Sequence, residues 1–240
     1  MNWNNYLSES KAPVGNLAHL GVIEGCVQGI YDLSEIPQNT KVLCLTTPLK
    51  KFKLQYTNIE ALSNNDYIEA ITLTDMDNER LDIFSTMPNL QYLHISINKQ
   101  NEIPELSCLE TLKVLILSGL TRVQSLDFIA SMNNLQTLYI YGMNNLTDLT
   151  PLSKLQSLKE LSLDHGRMSG TGTPVNDITP LAELKELIYL SFVMNVKNKN
   201  YDITPLFSLK KLQYLNILPR YLSKGRKELL YQHLPFLKMK

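Results

Sequence analysis

Apolar residues recur along the chain in the pattern LxxLxL, in which x is mostly polar or aromatic. The six clearest copies begin at Leu90, Leu112, Leu135, Leu158, Leu187 and Leu212. Weaker copies span Leu17–Val22, Thr40–Leu45 and Ile68–Leu73, and a last copy spans 234–239. The last apolar positions of successive copies lie 22 to 29 residues apart. Self-similarity at such a period indicates a protein built from stacked repeats.

Further apolar positions precede each copy. With the first Leu counted as zero, positions −9, −6, −3, 0, +3 and +5 are apolar in all six clear copies. The alternation at the end of the unit predicts a short β-strand, and the period of three before it predicts a 3₁₀ or short α turn. Because one unit cannot bury its apolar edge alone, stacked units share a core. We predict an α/β solenoid with a curved parallel sheet on its concave face and short turns on its convex face.

A second recurring segment supports the predicted turns. The sequence Asp-Leu/Ile-Thr-Pro-Leu occupies 148–152, 177–181 and 202–206. We expect Thr150, Thr179 and Thr204 to cap the turns, with the following proline at the first helical position, where a missing N–H group costs nothing.

These motifs resemble the leucine-rich-repeat proteins of the short, 22-residue class, which includes bacterial internalins and a eukaryotic regulator of a serine/threonine phosphatase. The resemblance implies a binding scaffold whose ligand sits on the concave strands or the adjoining loops. The chain departs from the family at the asparagine that usually follows each strand, so we expect less regular loops there. Only Asn98 and Asn195 fill that site, which elsewhere holds Met76, Leu120, Met143, Gly166 and Arg220.

The repeats predict one domain with atypical ends. Residues 1–16 fit no repeat and are predicted to form an N-terminal cap. Residues 17–224 carry the repeats, and residues 225–240, which include the helix-like segment KELLYQ, are predicted to form a C-terminal cap. Caps are expected because an end repeat must cover the open core.

Charge and targeting signals restrict the class of partner. The chain has 23 Lys and Arg against 23 Asp and Glu. It therefore lacks the basic excess of a nucleic-acid-binding protein, and we expect no nucleic-acid partner. No apolar stretch is long enough to span a bilayer, and the first residues do not resemble a signal peptide. The three cysteines give no disulfide framework, so we expect a cytoplasmic location.

Catalytic and metal-binding patterns are weak. The four histidines lie in four different units without ligand spacing, so we expect no metal and no cofactor. Asp164 and His165 are adjacent but complete no triad. The glycine-containing insertion at 164–177 lacks a phosphate-binding motif. It is either a flexible insertion or a contact loop at the rim, and the segment at 46–58 occupies the equivalent position. We expect no enzymatic activity.

The strand positions that alternate with the core form the concave face, which is aromatic and apolar with few charges. Such residues favour strands in general, but this combination is also typical of interfaces. We predict that a protein partner contacts Tyr92, His94, Val114, Ile116, Tyr139, Tyr141, Glu160, Asp164, His165, Tyr189 and Tyr214. Val114 and Ile116 would form the dry centre of this surface, with Glu160, Asp164 and His165 on a polar side.

Two other functions stay open on the sequence. The chain has the size of a regulatory or inhibitory subunit of an enzyme, such as an immunity-type protein that blocks one partner. An enzyme is disfavoured because no catalytic constellation is present. The sequence does not indicate the oligomeric state.

Overall fold

The computed structural model describes residues 25–96, 100–119, 121–166 and 172–238. Within them nine strands form one sheet in chain order, and every neighbouring pair is parallel. The sheet is open, and the predicted solenoid is confirmed. The strands are β1 (Cys26–Val27), β2 (Val42–Leu45), β3 (Ala70–Thr74), β4 (Tyr92–Ser96), β5 (Val114–Ser118), β6 (Thr137–Tyr141), β7 (Glu160–Asp164), β8 (Tyr189–Val193) and β9 (Tyr214–Ile217).

The first described strand differs from the sequence prediction. The weak copy at Leu17–Val22 lies outside the described residues. The strand that pairs with β2 is β1, in which Val27 aligns with Leu43. The LxxLxL pattern does not mark this strand, because it has only two residues and follows no preceding leucines of the right spacing.

The core consists of leucine rows that run across the sheet. The six positions predicted as apolar are buried in all six clear repeats. Leu138 shows how they stack, because it aligns with Leu115 on one side and Leu161 on the other. Each row thus packs against the equivalent row of the next repeat, and burial of a leucine side chain contributes about 1.5–3 kcal/mol.

Short turns lie opposite most strands, as predicted, and most are 3₁₀. Two are α-helical: α1 (Asn78–Ser85) and α2 (Arg226–His233). The 3₁₀ turns are Leu33–Glu35, Lys50–Phe52, Ile59–Leu62, Asp127–Ile129, Thr150–Lys154, Thr179–Glu183, Lys197–Lys199, Thr204–Ser208 and Pro219–Tyr221.

The predicted threonine caps are wrong. Thr150, Thr179 and Thr204 are the first residues of their turns and do not cap them. The aspartate two residues earlier has that role, since the Asp148 carboxylate accepts hydrogen bonds from the Thr150 backbone N–H (2.8 Å) and hydroxyl (2.6 Å). These bonds lower the pKa of Asp148. Asp177 and Asp202 accept the equivalent backbone bonds.

The C-terminal end has the predicted helix. Leu230 in α2 and Leu234 just after it are buried against the last repeat. Lys238 then forms a single parallel bridge with Tyr214, where the sequence predicts a further strand. The predicted cap at 1–16 lies outside the described residues.

The turns that leave the strands are more regular than the missing asparagines suggest. Met76 and Met143, which occupy the family's asparagine position, are buried. Just beyond the strands, Asp75, Gly119 and Gly142 have φ between 57° and 77°. A backbone N–H of each turn donates to the next strand, as Gly142 does to the Asp164 carbonyl (2.9 Å). The left-handed backbone thus replaces part of the order that an asparagine side chain gives.

Gly142 provides the test of this turn. A Cβ atom at Gly142 would lie 3.3 Å from the backbone nitrogen of Gly119, on top of the strain of φ +77°. Gly29 has the same strain, with φ +78°, but nothing within 4 Å. We expect Gly142→Ala to lower the free energy of unfolding by about 1–3 kcal/mol, and by more than Gly29→Ala does. Urea unfolding followed by circular dichroism measures the free energy of unfolding of both variants. Equal losses of free energy would show that the close approach of neighbouring turns does not contribute to stability.

Candidate functional site

The sheet aligns the predicted contact residues in rows. One row contains Cys26, Val42, Ala70, Tyr92, Val114, Thr137, Glu160, Tyr189 and Tyr214. The next row contains Cys44, Thr72, His94, Ile116, Tyr139, Ser162, Ser191 and Asn216. Tyr141 and Asp164 align beside each other in a third row. The first two rows are here called the concave rows.

The centre of the concave rows is apolar and closely packed. Val42, Ala70, Tyr92, Val114, Ile116 and Tyr139 form one buried cluster, separate from the leucine core, and Cys26, Tyr141 and Tyr189 pack against it. The sequence predicts a face that is open to a partner, but Tyr92 is 0% exposed and Tyr139 is 2% exposed. The rows open towards their C-terminal end, where Tyr214 is 37% exposed.

The charged members of the site are also enclosed. Glu160 is 1% exposed, and its carboxylate accepts a hydrogen bond from the Thr137 hydroxyl (2.9 Å). Asp164 accepts a hydrogen bond from the Gly166 backbone N–H (2.7 Å), yet burial raises the pKa of Asp164. Burial also raises the pKa of the neighbouring Tyr189, and the Glu160 charge adds to that effect.

His94 is a buried histidine in the second concave row. Its Nε2 atom lies 3.0 Å from the hydroxyl oxygen of Ser118 on the next strand. Burial lowers the pKa of His94 to about 4, because the charged imidazolium is poorly solvated there. His94 is therefore neutral at physiological pH.

His165 lies against the returning part of the insertion at 164–177. It follows β7 and is buried. A Cβ atom at Gly172 would lie only 2.3 Å from the His165 ring, so Gly172 packs directly on that ring. Val175 is buried and pairs with Val196. This part of the insertion is therefore structural, a role that the sequence pattern does not reveal.

The segment at 46–58 is a different kind of surface. It contains the 3₁₀ turn Lys50–Phe52, whose Phe52 side chain is 57% exposed, and Leu49 and Leu54 are exposed as well. The ammonium group of Lys51 lies 4.8 Å from the centre of the Phe52 ring. The repeat pattern of the sequence does not indicate these exposed apolar side chains.

The described part of the chain was also searched for metal sites, grooves and membrane-spanning helices. In those residues, no three histidine, cysteine or acidic side chains come close enough to share a metal ion. A shallow polar groove along the strand-entry rim includes Gln91, Lys113, Gln136 and Lys159. Over the same described ranges, no helix is both long and apolar enough to cross a bilayer.

Comparisons with known proteins agree with the repeat pattern. Residues 110–154 match the family model described as leucine-rich repeats in two copies. Osteomodulin of Mus musculus is 24% identical over 192 residues, and the match covers 70% of this chain but 43% of osteomodulin. The chain therefore spans less than half the length of that relative.

Solved structures of internalins from Listeria monocytogenes also match. Internalin C2 has a TM-score of 0.48 and 22% identity, and the match covers 84% of this chain and 78% of that one. Internalin F has a TM-score of 0.49 and 20% identity, with 85% of this chain and 60% of that chain covered.

The burial of His94 makes stability depend on pH. The unfolded chain takes up a proton on His94 near pH 6.5, whereas the folded protein takes it up only near pH 4. Acidification between these values therefore favours the unfolded state, by about 2 kcal/mol at pH 5. We expect His94→Gln to lose less free energy of unfolding than the parent protein between pH 7 and pH 5, as measured by urea unfolding. The same loss in both proteins would mean that His94 is solvated.

Proposed function

We propose a binding function on the premise that this chain is a leucine-rich-repeat protein. Such proteins generally act as protein-interaction scaffolds. We infer that this one binds a protein partner through its concave rows and the adjoining rim, and that it carries out no reaction of its own. We centre the partner surface on Tyr141, Tyr189 and Tyr214, the tyrosines of the predicted set that remain accessible, because Tyr92, Val114, Ile116 and Tyr139 are buried.

The observation that carries this proposal is the composition of the concave rows. Tyr92, Val114, Ile116 and Tyr139 form a continuous apolar cluster that belongs to the opposite face of the sheet from the leucine core. Tyr189 packs against this buried cluster, and Tyr214 beside it is 37% exposed, so the aromatic row continues from the cluster onto the accessible surface, where it suits an interface. Rigid aromatic side chains bury a large area and lose little entropy on binding, which is why they dominate many interfaces.

The open end of the concave rows is the first point of contact in this proposal. Tyr189 is half-buried, and Tyr214 and Asn216 are exposed. Asn216, which aligns with Ser191 on β8, supplies a polar side chain at this end. A partner with an apolar centre and hydrogen-bond donors at its edge would fit this arrangement.

We place the protein in the cytoplasm. The support is chemical: the chain has an odd number of cysteines, and Cys26, Cys44 and Cys108 are free thiols. Such thiols persist in a reducing compartment. Fractionation of the source cells with an antibody against the protein tests the location, and recovery outside the cytoplasm would contradict it.

Tyr214 allows a test of the partner surface with little effect on folding. Once a partner captured by the protein is purified, we expect Tyr214→Ala to weaken its direct binding by about 2 kcal/mol, roughly thirtyfold. Tyr231→Ala is the matched control, because Tyr231 is 44% exposed on α2, away from the concave rows. Calorimetry gives both dissociation constants. Equal affinities of the two variants and the parent would refute binding at this end of the rows.

A further inference from the structure

The segment at 46–58 leaves the sheet after β2 and is held in place at its base. The Tyr56 hydroxyl donates a hydrogen bond to the Thr46 carbonyl (3.0 Å), which brings the two ends of the segment together. The Thr47 backbone N–H donates to the hydroxyl of Thr74 on β3 (3.1 Å). A loop whose ends are close together and fixed presents its tip in a defined position, and such loops are frequently functional.

The tip of this loop, residues 49–54, carries exposed apolar side chains. Leu49, Phe52 and Leu54 are 64%, 57% and 42% exposed. The Phe52 backbone N–H donates to the Leu49 carbonyl (2.9 Å) at the start of the 3₁₀ turn Lys50–Phe52. Side chains three residues apart in such a turn eclipse each other, so Leu49 and Phe52 lie on the same side of it.

The other three residues of the tip are basic. Lys50, Lys51 and Lys53 are all exposed, and no acidic residue occurs anywhere between 36 and 59. Among the described residues, none of these three lysines forms an ion pair. The tip therefore combines three positive charges with three exposed apolar side chains over six successive residues.

We propose that this tip binds the surface of an anionic lipid bilayer, with Leu49, Phe52 and Leu54 inserted below the headgroups and the lysines placed among the headgroups. Segments that lie in a membrane interface combine Lys or Arg with Phe, Leu or Trp in this way. Each lysine close to an anionic leaflet raises the affinity about fivefold. A bilayer matches both parts of the tip, because it offers negative charge at its surface and hydrocarbon directly beneath.

The lysines favour a bilayer over an acidic protein as the occupant of this loop. Protein interfaces are enriched in Arg and in aromatic residues, whereas Lys is depleted from them. All three cations of the tip are lysines. The long lysine stem lets the ammonium group stay at the level of the headgroups while neighbouring apolar side chains go deeper.

This site is separate from the proposed partner surface. The loop follows β2, whereas Tyr214 lies on β9, and the seven strand spacings between them amount to about 34 Å. The protein can therefore hold a membrane and a protein partner at the same time, and the inference does not depend on the proposed function. For a protein in the cytoplasm, the cytoplasmic leaflet supplies the anionic lipid.

Vesicle binding of the full-length chain tests the inference. In cosedimentation we expect binding to vesicles of equal parts phosphatidylserine and phosphatidylcholine to be at least about tenfold tighter than binding to phosphatidylcholine alone. Added salt should weaken this binding, because it screens the lysine charges. Equal binding to the two kinds of vesicle, or binding to neither, would overturn the proposal.

Two phenylalanines of similar exposure locate the contact. Phe236 is 62% exposed and lies in another basic part of the chain, since residues 197–240 contain ten Lys and Arg against two Asp and Glu. We expect Phe52→Ser to weaken binding to the phosphatidylserine vesicles about tenfold and Phe236→Ser to leave it unchanged, with circular dichroism showing that both variants fold. A loss in Phe236→Ser alone would place the contact at the C-terminal end and refute the proposal.

A second pair of variants tests the charges. Lys51→Gln should weaken vesicle binding about fivefold, whereas Lys227→Gln, which removes an exposed lysine of α2, should leave it unchanged. Equal losses in the two variants would show a general charge attraction without a defined site. A loss in Lys51→Gln with none in Phe52→Ser would show attraction without insertion, and either result contradicts the proposal.

Insertion can be observed directly with a tryptophan in the tip. Trp3 is the only tryptophan of the chain, so the double variant Phe52→Trp, Trp3→Phe has its single tryptophan at position 52. With phosphatidylserine vesicles we expect its emission to shift to the blue, and brominated acyl chains to quench it several-fold. Emission that stays unquenched while the protein sediments with the vesicles would show that another surface binds, and would overturn the proposal.

The purified protein partner distinguishes this site from the proposed partner surface. In the absence of lipid, Phe52→Ser and the parent protein should bind the partner with equal affinity. If Phe52→Ser instead weakens partner binding and neither kind of vesicle binds the parent protein, the tip belongs to the protein interface and the membrane proposal is refuted.

Discussion

The structure depends on the stacking of leucine rows between repeats. One repeat has a single apolar edge and too few residues to enclose it, so its leucines are buried only by the repeats on either side. The alignment of Leu115, Leu138 and Leu161 on adjacent strands shows this at the centre of the molecule. Every other feature follows from that stack: the parallel strands, the turns behind them and the turns that leave them.

The same stack creates the candidate binding surface. Successive residues of a strand point to opposite faces, so fixing Leu138 in the core also fixes Thr137 and Tyr139 on the other side. Repetition of the strand then places Tyr92, Val114 and Glu160 in line with Thr137. The surface is thus a consequence of the core, because the register that stacks the leucines also aligns these side chains.

Much of the fold could be predicted from the sequence, because the same apolar spacing occurs in many repeats and each copy supports the interpretation of the others. The strands from β2 to β9 and the buried leucines follow from spacing alone. The capping role of Asp148 was missed because threonine and aspartate are both good caps, and only the observed start of the turn at Thr150 separates them. The two-residue strand β1 was missed because its pattern is too short to recognise.

The site was less predictable than the fold, for a physical reason. A strand pattern shows to which face Tyr92 points, but it does not show that the side chain is fully buried there. Two residues separated in sequence, Gly172 and His165, likewise come together only through the path of an irregular insertion. The burial of His165 depends on an insertion that does not repeat and therefore carries no periodic signal.

The most direct test of the leucine stack is the free energy of unfolding of two leucine variants. Leu138 is fully buried in a central row, whereas Leu49 is 64% exposed in a loop. Urea unfolding followed by circular dichroism should show that Leu138→Ala loses about 2–5 kcal/mol, while Leu49→Ala changes the free energy by less than about 0.5 kcal/mol. Equal losses in the two variants would contradict a fold held together by its leucine rows.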